Sequence, residues 1–266
     1  MSKRLIINAD DFGFDPDASE AILDLLEKRR ISSTTVMANL VLSKDLERLK
    51  NIPQAGIGLH VNLLDGKPLS PGDSVNSLID ESCEFLGAKK LFQKAFLGQI
   101  SSREIHTEIE AQVNFLRDHG IQLTHADSHQ HLHQFPILGK MIRESLSKLG
   151  VKKLRNSGAV EVNLKPRSLI LAGFTRFSPI EKSFQTTEGL ISELSFGGEI
   201  EESKFWKSIK NSFRQKSLLE LMTHPGLEDR PGSYLARKAE FELWNSLDTE
   251  KALNSLGIEL VNFGKI

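Results

Sequence analysis

The feature that most restricts this chain is a short apolar run that stops on acid or histidine and gives way to helix-period sequence. Leu5-Ile6-Ile7 ends at Asn8-Ala9-Asp10-Asp11, and Gly56-Ile57-Gly58-Leu59-His60-Val61 ends at a histidine. Ile121 to Ala126 runs into Asp127-Ser128-His129, and Leu218 to Met222 into Thr223-His224-Pro225. Compact apolar runs of this length fit strands buried on both faces, and their alternation with helices implies a parallel sheet. Polar groups at four separate strand ends are the distribution expected when a parallel barrel gathers its site on its C-terminal face. The expected fold is α/β, an irregular, TIM-barrel-like (β/α) barrel of eight strands or fewer, in one domain over residues 1–266. Neither an internal repeat nor a clear linker divides the chain.

The connecting segments support that order. Asp15 can cap a helix with Pro16 in its first turn and an apolar stripe of Ala18, Ala21, Ile22, Leu25 and Leu26. A strand is expected at Thr34 to Ala38 and a short helix at Asp45 to Lys50. Residues 65–100 read as an insertion or lid with some helix near Leu91 to Phe96. Ser101 with Glu104 forms a capping-box pattern ahead of the stripe Ile105, Ile109, Val113 and Leu116, which stops near Gly120. A helix from Pro136 to Leu149 and a strand from Val151 to Leu154 follow, while residues 156–198 show no clean period. Helices around Arg237 to Leu247 and Thr249 to Leu256 and a strand at Ile258 to Val261 complete the pattern.

Composition restricts function. Lys and Arg number 34 against 35 Asp and Glu, so no net field draws the chain to nucleic acid or to an anionic membrane, and a neutral substrate fits best. The single Cys83 cannot close an internal disulfide, and any metal must be held by His, Asp or Glu. No stretch approaches the ~18 apolar residues of a membrane span, and a cytoplasmic location is expected. Monomer and homodimer both stay open.

Asp15 supplies the helix cap, which leaves Asp10 and Asp11 available for a metal and for proton transfer. Four of the eight histidines, His125, His129, His131 and His133, fall within nine residues. They cannot all be ligands, because a catalytic ion keeps a position open. The others suit supporting or substrate contacts.

These residues resemble a known family, the YdjC-like carbohydrate deacetylases, which include deacetylases of chitooligosaccharides. The resemblance rests on Asn8-Ala9-Asp10-Asp11-Phe12-Gly13, Gly58-Leu59-His60 with Gly66-Lys67-Pro68, Thr124 to His133 with Phe135-Pro136, and Met222-Thr223-His224-Pro225-Gly226. These pieces span most of the chain, though residues 157–215 carry none of them. The resemblance implies a barrel-like hydrolase that removes acetyl from an N-acetylated sugar, with a divalent metal on Asp11, His60 and His129. Such a set leaves room to polarise an amide carbonyl and activate water, with Asp10 as the base and His224 as the acid for the departing amine. Zn²⁺ suits the imidazoles best, and Mg²⁺, Mn²⁺ and Co²⁺ also fit the ligand types.

Phe12, Phe135, Trp206 and Tyr234 are candidates for stacking on a sugar, with core packing the commoner use of such residues. Arg155 is expected either to hold a substrate oxygen or carboxylate product or to form a surface salt bridge. Two rival readings stand beside the hydrolase. His125-Ala126-Asp127 with His224 formally makes the iron set of a non-haem oxygenase, which an antiparallel double sheet would support. A non-catalytic sugar-binding protein of the same fold is the other.

Overall fold

A computed structural model describes residues 2–160, 166–192 and 202–266. The elements in chain order are β1 (Lys3–Phe12), α1 (Pro16–Glu27), β2 (Ser33–Val36), α2 (Ser43–Lys50), β3 (Gly56–Val61), α3 (Gly87–Phe96), α4 (Ser102–Asp118), β4 (His125–Ser128) and α5 (Leu138–Lys148). They continue with α6 (Pro166–Phe177), β5 (Leu190–Ile191), α7 (Glu202–Ser212), β6 (Leu218–Thr223), α8 (Arg237–Ser246), α9 (Thr249–Ser255) and β7 (Ile258–Leu260).

Among the described residues all strand pairs are parallel, and six strands follow the path β4-β3-β2-β1-β6-β5, which curls into a half-barrel. β7 pairs with the start of β1, residues 3–5, on the edge that β2 takes over from Asn8 onward. Single bridges Ala126–Leu154 and Ala159–Leu190 lay residues 151–160 across the gap between β4 and β5. Among the described residues the expected α/β barrel with fewer than eight strands is what forms, and the oxygenase reading finds no antiparallel double sheet there.

The interior of this barrel is tiered. Ile6, Leu218, Val261 and Phe263 form a small apolar cluster of their own, separate from the main core between sheet and helices. His125 stacks on Phe263 with ring centroids 3.8 Å apart and reaches Asn8 on its other side. Gly58 makes room for that ring, since a Cβ there would lie 2.5 Å from it. Above them Asp10, Thr35, His60, Asp127, Arg155 and Glu220 are buried together.

Several local expectations are met in detail. Asp15 caps α1 by accepting from Ala18 N, and the stripe from Ala18 to Leu26 is buried. The capping box at Ser101 is half formed. Ser101 accepts from Glu104 N, but the Glu104 carboxylate turns to Ser77 N and Ser101 N goes to Ser77 Oγ. Strand pairing expected from Ile121 begins only at His125, and residues 151–154 make bridges without a named strand.

Candidate active site

β1 delivers both aspartates through a local break in its geometry. In a regular strand neighbouring side chains face opposite sides, yet Asp11 has φ +67° and the β1–β2 register shifts between Ala9 and Phe12. This left-handed residue turns Asp11 toward the same end of the barrel as Asp10. Non-glycine residues adopt such φ values at a cost, and they cluster at functional sites. Gly13 follows at φ +92°, where a Cβ would meet Val41 Cβ at 2.5 Å.

Asp11 Oδ1 lies 3.3 Å from His60 Nε2 and 3.1 Å from His129 Nδ1. Among the described residues these three form one of two groups whose ligand atoms lie within 4.8 Å of one another. The other, Asp10 with His60 and Asp127, is already threaded by Arg155. The far nitrogen of each histidine sits on a carboxylate: His60 Nδ1 is 2.6 Å from Asp127 Oδ1, and His129 Nε2 is 3.2 Å from Asp65 Oδ2. Protons on those outer nitrogens leave the inner ones as lone pairs aimed at Asp11. Three lone-pair donors meeting in a buried space repel one another unless a positive charge lies between them. Burial opposes the charged imidazoles, but Asp127 and Asp11 outweigh it and push His60 up to about 10, and Asp11 pushes His129 up to about 9. The donor set therefore fits a divalent cation, whose charge replaces the second proton that each imidazole otherwise takes up on its inner nitrogen.

Asp11 Oδ2 accepts from the buried Arg237 on α8, so only Oδ1 faces the histidines. Asp10 is held by both Nη atoms of Arg155, at 2.5 and 2.6 Å. The same guanidinium reaches Asp127 Oδ2 at 2.7 Å and Glu220 Oε1 at 2.6 Å. Burial raises the Asp10 carboxyl, but Arg155 outweighs it and holds Asp10 well below the ordinary carboxylate range. Arg155 is fully buried, so it neither waits for a substrate oxygen nor forms a surface pair. Glu220 keeps the opposite bias: burial pushes it up to about 7 against Arg155.

β6 brings His224 to this end, with Nε2 3.9 Å from Asp10 Oδ2. Its backbone N–H donates to Glu240, which also takes the Thr223 hydroxyl, and Trp244 donates to that hydroxyl in turn. The remaining histidines have other partners. His125 is bonded to Thr124 and Asn8 and buried, outside both candidate metal groups. His133 Nε2 faces the Arg155 carbonyl and therefore carries its proton, which makes Nδ1 the acceptor for Ser128 Oγ. His131, half-buried with φ +57°, meets Ser157 Oγ, and burial and Arg155 push it down.

Of the four aromatic candidates, Phe12, Phe135 and Trp206 are buried and take the commoner core role, and Tyr234 is exposed. An aromatic residue that does lie at the site is Phe14, whose ring is 5.8 Å from that of His129 and carries the Arg230 guanidinium at 3.7 Å. Sequence reading also missed Asp65, Glu220, Arg237 and Glu240. Asp65 adjoins the Gly66-Lys67-Pro68 match, and Arg237, Glu240 and Trp244 share one helix face by spacing, so both had a signal.

The family model for YdjC-like proteins matches residues 4–255. The chain belongs to the YdjC-like family. Among its relatives are proteins named chitooligosaccharide deacetylase from Proteus mirabilis, 29% identical over 98% of this chain and 97% of theirs, and from Enterobacter sp., 30% identical over 99% of both. One from Clostridium beijerinckii named carbohydrate deacetylase is 28% identical over 99% of this chain and its whole length. In fold, the YdjC-like chain is similar to a crystal structure from Enterococcus faecalis of a protein named, provisionally, for cellobiose-phosphate cleavage. That match has TM-score 0.77 and 22% identity, covering 100% and 99% of the two chains. A Streptococcus mutans CE4 esterase matches at TM-score 0.52 and 13% identity over 98% and 87%. Among the described residues, no helix of this YdjC-like protein is long and apolar enough to cross a membrane.

Proposed function

We propose that this YdjC-like protein is a metal-dependent hydrolase that removes acetyl from an N-acetylated sugar or oligosaccharide, releasing acetate and an amine. The observation that carries the reading is the convergence of Asp11 Oδ1, His60 Nε2 and His129 Nδ1, each buried or nearly so and each held from behind. Full-length similarity to proteins named as deacetylases of carbohydrates supports the substrate class. Asp11, His60 and His129 would hold the ion, Zn²⁺ or Mg²⁺ by preference, with Mn²⁺ and Co²⁺ also compatible. When bound, it supplies Lewis-acid polarisation of the acetyl carbonyl and acidifies a water.

The protein's own groups then divide the proton work. Asp10, kept ionised and fixed by Arg155, accepts the proton of the attacking water. His224, whose Nε2 lies 3.9 Å from Asp10, protonates the departing amine in this reading, and its backbone N–H is bonded to Glu240. Phe14 gives a sugar ring an apolar face beside His129. The near-neutral charge balance agrees with a small neutral substrate in place of nucleic acid. Acetate release from a panel of N-acetylated mono- and oligosaccharides, after chelation and after return of each metal, tests the proposal. Turnover is expected to vanish on chelation and return with metal, and to stay absent in Asp11→Ala. Equal acetate release with and without metal would overturn it.

A further inference from the structure

The two histidines proposed as ligands are braced in the same way by residues of different origin. Behind His60 stands Asp127 on β4, fully buried in the barrel. Behind His129 stands Asp65, from the loop that leaves β3, with Oδ2 at 3.2 Å from Nε2. Phe14 touches the His129 ring with a tilted face and offers it no hydrogen bond, so of these two neighbours only Asp65 can fix the ring's rotation by a directed bond.

The loop that carries Asp65 is built to hold it still. Asn62 Oδ1 accepts from Leu64 N at 3.0 Å and Asp65 N at 3.1 Å, while its Nδ2 donates to the Asp65 carbonyl at 2.8 Å. Asn39 Nδ2 donates to the same carbonyl at 3.0 Å and to that of Lys67 at 2.9 Å. Gly66 then turns at φ +76° with Leu40 packed where a Cβ would stand, 2.7 Å away. Farther on, Leu69 N and Ser70 N both donate to the buried Glu108 of α4. Two asparagines and one glutamate thus tie residues 62–70 to the barrel rim, so that Asp65 is presented at a defined height.

We propose that Asp65 is a positioning residue for the metal centre, holding His129 in the Nε2–H tautomer so that Nδ1 is bare toward Asp11. The inference rests on the metal reading above and deepens it. A carboxylate behind a ligating imidazole fixes its orientation and raises its basicity, and loss of such a partner typically weakens metal binding 10- to 100-fold.

The test is equilibrium competition for Zn²⁺ against a chromophoric chelator, run on wild type, D65A, D65N and H129A. Metal-free thermal midpoints and the His129 tautomer by long-range ¹H–¹⁵N spectra of the Zn²⁺-loaded protein accompany it. D65A is expected to bind Zn²⁺ about 10- to 100-fold more weakly with an unchanged metal-free midpoint. D65N, which keeps a neutral acceptor, is expected to lose less, and H129A more than either. The Nε2–H signal of His129 should be sharp in wild type and exchange-broadened in D65A. Wild-type affinity in D65A, or a loss equal to that of H129A, would overturn the role. Equal Zn²⁺ binding by wild type and H129A would remove the metal centre itself, a result distinct from D65A alone matching wild type.

Discussion

In a regular strand Asp10 and Asp11 would point to opposite faces, and only one of them could serve a site at the barrel mouth. The left-handed φ of Asp11 brings both there with different partners: Asp11 faces two histidines, and Asp10 is clamped by a guanidinium. Asp10→Asn is therefore expected to keep its metal while turnover falls about 10²- to 10⁴-fold, the loss typical of a positioned base. Metal content by atomic absorption together with acetate release checks this, and loss of the metal would make Asp10 a ligand. The sequence shows that two carboxylates end a strand and that a third residue, Asp15, already caps the next helix. It does not show which of the pair meets Arg155, because that guanidinium comes from 145 residues away, beyond the reach of any local pattern.

At the scale of elements, legibility follows periodicity. β3 and the stripes of α1 and α4 appear where their apolar spacing puts them, because local pattern and tertiary burial agree there. Residues 121–124 and 151–154 read as strands from their apolar content, yet the sheet takes them up only partly. Thr124 N pairs with Ile57 O just ahead of β4, and residues 152–155 bond backbone to backbone with Ala126 on one side and Gln185 on the other. A closing segment of this kind satisfies its amides without repeating a ladder, so no sequence period announces it. α8 teaches a different point: the helix is visible, but the use of its buried charges is not. Arg237, Glu240 and Trp244 lie on one face and reach Asp11, His224 N and Thr223. Glu240→Ala would leave the Thr223 hydroxyl and the His224 amide without their acceptor in a buried place. The expected loss of stability is about 1–3 kcal/mol, read from denaturant midpoints, with a fall in turnover alongside. A midpoint unchanged within error would mean that another group or water replaces the carboxylate.

For the whole molecule, the polar barrel interior ties stability to pH through a residue that touches neither proposed ligand nor base. Glu220 shares Arg155 with Asp10 and Asp127, and among the described residues its Oε2 has no hydrogen-bond partner. One guanidinium cannot compensate three buried carboxylates, so burial and the two neighbouring acids leave Glu220 at about 7, against the ordinary 4.5. Between those values the folded protein retains a proton that the unfolded chain has released. Linkage then makes stability fall as pH rises from about 4.5 to 7, the reverse of the usual salt-bridged carboxylate. Asp10, held low, contributes in the opposite sense and only in acid, where its stabilisation is lost as pH drops. The E220Q variant fixes the neutral form and removes the first slope without touching the second. Denaturant unfolding of metal-free wild type and E220Q at pH 5, 6, 7 and 8 compares them, and titrations common to both, those of the histidines included, cancel in the difference. E220Q should gain on wild type as pH rises, by on the order of 1–3 kcal/mol across the series. Parallel profiles would show that Glu220 is ionised throughout and that Arg155 balances all three acids.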